Sequence, residues 1–111
     1  MNEETRKSLS NLISVAHGEA RFQICIRDFL LSWWNESTFG IFNMHRLSCL
    51  DDKNMKDVSN VFSYLCQIGF TYPSQSTPYF DRLQRLANRE WEEKHKNEDA
   101  EKHESEGFVY K

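Results

Sequence analysis

Four histidines (His17, His45, His95, His103) and three cysteines (Cys25, Cys49, Cys66) are the side chains here that could ligate a metal or pair as nucleophile and base. Structural zinc sites present their ligands in close pairs. No two cysteines and no two histidines stand within four residues of each other, and His95 and His103 sit in a carboxylate-rich stretch. No metal and no cofactor is therefore expected, and the histidines read as solvated. A Cys-His nucleophile could be drawn from any cysteine with His17 or His45. Each cysteine, however, falls in an apolar helical pattern, which predicts buried, inert thiols. The carboxylate pairs Asp51-Asp52 and Glu92-Glu93 are adjacent, and neighbouring helical side chains diverge too far to share a proton. No catalytic residue is assigned, and no enzymatic activity is expected.

Two kinds of binding surface remain. The stretch from Asn43 to Gln67 reads as a short helix, a tight turn and a longer helix. It could form a helix-turn-helix, with Lys53, Asn54, Lys56 and Asn60 toward a DNA groove. Asp51, Asp52 and Asp57 stand beside those lysines, which weakens the surface as a phosphate contact. The second candidate is aromatic: Trp34, Phe39, Tyr72 and Tyr79 lie at or near loops, where they either close the ends of the fold or anchor a partner protein.

Composition narrows the classes. A chain of 111 residues has room for one domain with a modest core, and an aromatic content of 14% argues against disorder in its central part. The net charge of -3 supplies no positive field toward nucleic acid or anionic lipid. No run is long and apolar enough to span a membrane, and the acidic start Met1-Asn2-Glu3-Glu4 does not read as a signal peptide, so a cytoplasmic protein is expected. The odd number of widely spaced cysteines fits reduced thiols.

The elements follow from periodicity. Leu9, Leu12, Ile13 and Ala16 predict a helix over residues 3–17, with Gly18 as its stop. Phe22, Ile26, Phe29 and Trp33 form one stripe of a second helix over residues 19–35, while Ile24, Leu31 and Trp34 form another side. Adjacent helical residues point about 100° apart, so Trp33 and Trp34 must be covered from two directions, which predicts that this helix is central. Residues 36–41 read as a loop. Asn43 would cap a short helix to Cys49 or Leu50, with Phe42 and Leu47 as a hydrophobic staple. Asp51 would cap the next helix, which carries Met55, Val58, Val61, Phe62 and Leu65 to about Gly69, with Leu50 and Met55 as its staple. Residues 70–76 form a loop around Pro73. Thr77-Pro78 should then open a last packed helix bearing Phe80, Leu83, Leu86 and Ala87, closed by Trp91. The expected fold is all-α, a compact bundle of four main helices plus one short helix over residues 1–91, with residues 92–111 a charged, partly helical or flexible tail ending in Phe108-Val109-Tyr110.

The run Phe29-Leu30-Leu31-Ser32-Trp33-Trp34-Asn35 is followed by Gly40, Phe42, Leu47, the Asp51 helix, Tyr72-Pro73 and a Tyr79-x-x-x-Leu83 helix. Over about residues 16–91 this pattern resembles an uncharacterised family of small proteins of bacterial plasmids, integrative elements and phages. Where such relatives often carry Gly-Gly-Phe and an aspartate, this chain has Gly40-Ile41-Phe42-Asn43, which keeps the cap. The resemblance implies a mobile-element context and no catalytic residues. The leading expectation is a non-enzymatic protein-interaction module. An inhibitor of a host defence or regulatory complex, of the anti-CRISPR type, would act by steric masking of a protein partner. The alternative is a small helix-turn-helix DNA-binding regulator, and self-association is left open.

Overall fold

The computed structural model describes residues 1–40, 42 and 44–106, with side chains through His95. The described residues form four α-helices, α1 (Glu3–Val15), α2 (Arg21–Phe39), α3 (Asp52–Gln67) and α4 (Phe80–Glu106), with a 3-10 helix at Met44–Cys49 between α2 and α3. The fold is all-α and compact, as the periodicity predicts. The expected Asn43 cap and the segment Phe108-Val109-Tyr110 lie outside the described residues.

Each helix start has a local cause. The Asn2 side chain accepts from the Thr5 backbone N–H at 2.7 Å, and Asp51 accepts from Asn54 N–H at 2.9 Å, so both caps satisfy an otherwise orphaned donor. The helix α2 opens without a capping side chain of its own. Instead Gln23 reaches back, its Oε1 accepting from the Ala20 N–H at 3.0 Å. Gly18 does not stop α1 by a left-handed turn; a Cβ there would strike the Gln23 side chain, so the residue is a point of close approach.

The apolar stripes meet where they should. Leu9, Leu12, Ile13, Ile26, Leu30, Val61, Leu83 and Leu86 are buried in one cluster with Phe29 and Trp33. The sequence placed α2 at the centre; α1 shares that place, because it packs against all three other α-helices. Its closest partner is α3, and that interface is partly polar. The buried Ser8 hydroxyl donates to Asp57 Oδ1 at 2.9 Å and accepts from Asn60 Nδ2 at 2.9 Å. Such fully paired polar groups fix the register of two helices in a way apolar contact does not.

A second polar cluster ties the α1–α2 turn to α4. Arg27 is buried, and its guanidinium donates to the carbonyls of Ala16 at 3.3 Å and Gly18 at 3.1 Å, which are left open where α1 ends. It also pairs with Glu19 at 2.8 Å and Glu90 at 3.4 Å. Arg89 reaches Glu19, Glu90 and His17 from α4. The Arg27 hydrogen bond, followed by its charge, holds the Glu19 carboxyl below its ordinary range. Desolvation of the His17 ring, then the charges of Arg89, Arg82 and Arg27, hold that imidazole below its ordinary value.

Four further expectations need correction. Residues 36–39 are not loop: Asn35 has extended backbone (φ -170°, ψ 97°), and its Oδ1 accepts from Ser37 N–H at 3.0 Å, so the residue that breaks α2 also caps its continuation to Phe39. Gly40, at φ 97°, ends that continuation. Thr77-Pro78 does not open α4. Thr77 Oγ1 accepts from Ser74 N–H at 3.0 Å, closing a turn before the helix, and Tyr79 intervenes at φ 61°. Trp91 does not close the core; it is 45% exposed and lies against the His95 ring. Phe22, assigned to the buried stripe of α2, is exposed in its first turn.

Two predictions follow from the core and the charge cluster. Phe29→Ala and Trp33→Ala should each cost about 3–5 kcal/mol, the usual range for deleting a large buried aromatic; denaturation midpoints equal to that of the parent chain would contradict their placement. A lowered folded pKa means that the unfolded chain takes up the proton first, so stability falls as pH falls. Melting temperature should therefore begin to drop below about pH 6.5 for His17 and drop further below about 4.5 for Glu19, the ordinary values of the two groups. His17→Gln should remove the first stage alone, as circular dichroism melts across this range will show.

Candidate functional site

An apolar pocket opens between α2, the chain entering the 3-10 helix, α3 and the loop that follows α3. Phe29, Phe42, Phe62 and Leu65 line it, Ser32, Trp33 and Glu36 contribute from α2, and Met44, Phe70 and Tyr72 stand at its edge. Met44 is 55%, Phe70 51% and Tyr72 55% exposed. The space measures about 230 Å3.

Its walls are set by the ends of secondary structure. The helix α3 closes with Gly69 at φ 70°. Phe70 N–H donates to Leu65 O at 2.8 Å, and Gly69 N–H donates to Cys66 O at 3.3 Å. This pair of bonds is a Schellman closure, and it delivers the next side chain back over the last turn of the helix. Phe70 accordingly meets Phe62 edge to face, ring centres 5.5 Å apart, while itself held at φ 58°. On the opposite wall Phe29 meets Phe42 edge to face at 5.6 Å, and Ser32 Oγ accepts from Phe42 N–H at 3.3 Å. Trp33 donates its indole N–H to Thr71 O at 2.9 Å, which fastens the loop to α2. Tyr72 then donates its hydroxyl to Glu36 Oε1 at 2.6 Å, an interaction that raises the phenol above its ordinary range. Glu36 is the first residue beyond the Asn35 break, so the break in α2 sets the carboxylate at the pocket edge.

The four aromatics singled out from the sequence do not share a surface. Tyr72 belongs to this pocket. Trp34 is half-buried against Phe80, ring centres 5.2 Å apart, and with Phe39 and Trp91 lines a shallow groove beside α4. Tyr79 stands apart, with the Arg82 guanidinium 5.3 Å above its ring. Met44 and Phe70, both at the pocket edge, were missed. The Gly69-Phe70 pair just past a helix was the signal available for Phe70, since a glycine stop returns the following residue over the helix it ends.

The candidate DNA-reading residues of α3 divide between the packed and the exposed faces of the helix. Asn54 is buried, Asn60 bonds Ser8, Lys53 pairs with Asp57 at 3.1 Å, and Lys56 lies 3.8 Å from Glu4. Asn60 and Lys56 thus reach α1, Lys53 pairs within α3, and both lysine side chains stay largely exposed. Through residue 91 the chain carries ten acidic and ten basic side chains, and the net charge of -3 resides in residues 92–111.

The cysteines also divide. Cys25 is buried, and burial, followed by the neighbouring Cys49, pushes its thiol up to about 11; its Sγ donates to Arg46 O at 3.3 Å. Cys49 and Cys66 are exposed, contrary to the prediction of three buried thiols. The 3-10 helix brings His45 and Cys49 to the same small cavity as Cys25, yet among the described residues no three His, Cys, Asp or Glu side chains are placed to hold a metal ion.

Fold and pocket together define a small all-helical protein with an open, aromatic-walled recess. The chain belongs to the family of unknown function DUF7673, whose model matches residues 6–92. No curated protein and no solved structure matches it. Among the described residues no helix is long and apolar enough to cross a membrane.

The burial pattern of the thiols gives a direct check. Native protein treated with a water-soluble disulfide reagent should release two equivalents of thiolate rapidly, from Cys49 and Cys66, and the third only on unfolding. Rapid reaction of Cys25 would contradict its burial.

Proposed function

We propose that this chain is a non-enzymatic protein-interaction module, and that the aromatic pocket is where it docks its partner. The observation that carries this reading is the pocket itself. Three large side chains stand exposed around an apolar recess of about 230 Å3. Contiguous apolar exposure of this kind marks interaction sites in soluble proteins. Pockets that engulf whole small molecules usually measure about 300–1,000 Å3, so this one suits a single side chain presented by a larger body.

The resemblance to small proteins of plasmids, integrative elements and phages supports a mobile-element role. On that reading the module inhibits a host defence or regulatory complex, in the manner of anti-CRISPR proteins. Balanced charge through residue 91 makes the domain a poor imitator of nucleic acid. Steric masking is accordingly the mechanism we favour. The cytoplasm is the matching compartment.

Affinity purification of the tagged protein from its own host tests the reading. A partner protein should be retained by the parent chain and lost, by more than about 1 kcal/mol of affinity, with Tyr72→Ala and with Met44→Ala, both at exposed positions that leave the melt unchanged. Duplex DNA at low salt should show no mobility shift at micromolar protein. A salt-sensitive shift abolished by Lys53→Glu with Lys56→Glu would replace this reading with the helix-turn-helix regulator.

A further inference from the structure

The geometry points to an arginine side chain of the partner protein as the occupant of the aromatic pocket; this rests on the interaction reading and specifies its chemistry. The pocket offers positive charge two kinds of partner and offers negative charge none. Aromatic rings line it, and the face of such a ring attracts a cation held within about 6 Å. Among the described residues no lysine, arginine or histidine lines it, and Glu36 is the one charged residue that does.

The strongest donors of the lining are already engaged. The Trp33 indole N–H is bonded to Thr71 O and the Tyr72 hydroxyl to Glu36 Oε1. What remains at the edge is the second oxygen of the Glu36 carboxylate, which has no partner among the described residues. A leucine or phenylalanine entering from a partner would remove water from that oxygen without replacing its hydrogen bonds, which is costly. A guanidinium replaces them. Its plane stacks on the Phe70 or Tyr72 ring, its N–H groups meet the second carboxylate oxygen, and its apolar stem lies along Met44 and Phe62. Lysine could supply the charge, but its compact ammonium lacks the flat face that stacks on a ring.

Nitrogen-edited NMR titration with three capped pentapeptides, Gly-Ala-X-Ala-Gly with X arginine, citrulline or leucine, separates charge from shape, because citrulline keeps the shape of arginine without its charge. The arginine peptide should shift the Trp33 indole N–H and the Phe70 and Tyr72 amides, and should bind at least tenfold more tightly than the citrulline peptide. Glu36→Gln, at an exposed position and still able to accept from Tyr72, should lose most of that difference while melting as the parent chain does. Equal binding of arginine and citrulline peptides, or indifference to Glu36→Gln, overturns the arginine assignment. If the leucine peptide then binds best at the same resonances, the docking reading survives without it. If no peptide moves those resonances and the purified partner is also indifferent to Tyr72→Ala, both fall.

Discussion

Two consecutive tryptophans on α2 pin two different parts of the chain, and the rest of the arrangement depends on them. Helical geometry turns Trp33 and Trp34 about 100° apart. The first is buried and bonds Thr71 O with its indole N–H; the second lies half-buried on Phe80, the first residue of α4. The connection between α3 and α4 is thus held at both ends by one turn of one helix. The Thr71 bond acts with the Tyr72–Glu36 bond to hold the loop after α3 against α2, and so to keep that wall of the pocket in place. The Phe80 contact joins the buried Leu83 and Leu86, and Arg82 reaching Ser10 and Ser14 of α1, in seating the start of α4.

Polar bonds orient what apolar contact holds together. Arg27 is where that division is clearest. A buried guanidinium without partners would be strongly destabilising, but here it finds two open carbonyls and two carboxylates at once. By answering the end of α1 and the side of α4 together, it fixes the angle at which three helices meet. Ser8, Asp57 and Asn60 do the same between α1 and α3. Among the described residues no buried side-chain nitrogen or oxygen is left unpaired, which is what a well-specified set of such contacts requires.

How far the sequence reveals this structure depends on whether a residue's partner is local. The Asp51 cap is legible because donor and acceptor are three residues apart. The stripes of α1, α2 and α3 are legible because burial follows helical period, as Leu9, Leu12 and Ile13 show. The break after residue 35 is legible from composition, but the capping of Ser37 by Asn35, which restarts the helix, is not. Thr77-Pro78 has the composition of a helix start and serves a turn instead, because Ser74 offers it a nearer N–H. The polar partners of α3 are illegible for the opposite reason: Asn60 and Asp57 meet a serine 52 and 49 residues away. Of the candidate interaction residues, Tyr72 alone falls at the pocket. Its partner Glu36 lies 36 residues distant, across two helices, where no periodicity could join them.

The conformation of Phe70 bears on why the pocket has the shape it has. A bulky side chain at φ 58° is uncommon and costs on the order of 1 kcal/mol, and such strain persists only where surrounding structure enforces it. The enforcement is visible: a backbone bond to Leu65, an edge contact with Phe62, and Thr71 held by Trp33 immediately after. Those same constraints leave about half of the ring's surface in water. A residue selected only to close the helix would be cheaper as asparagine or a second glycine, either of which tolerates left-handed backbone without an aromatic to shelter. Keeping a phenylalanine there accepts backbone strain and apolar exposure together, and what it supplies in return is a fixed ring facing Met44 and Tyr72 across an open recess. The cost is intelligible if something else completes the burial of that ring, which is the role the docking proposal gives to the partner.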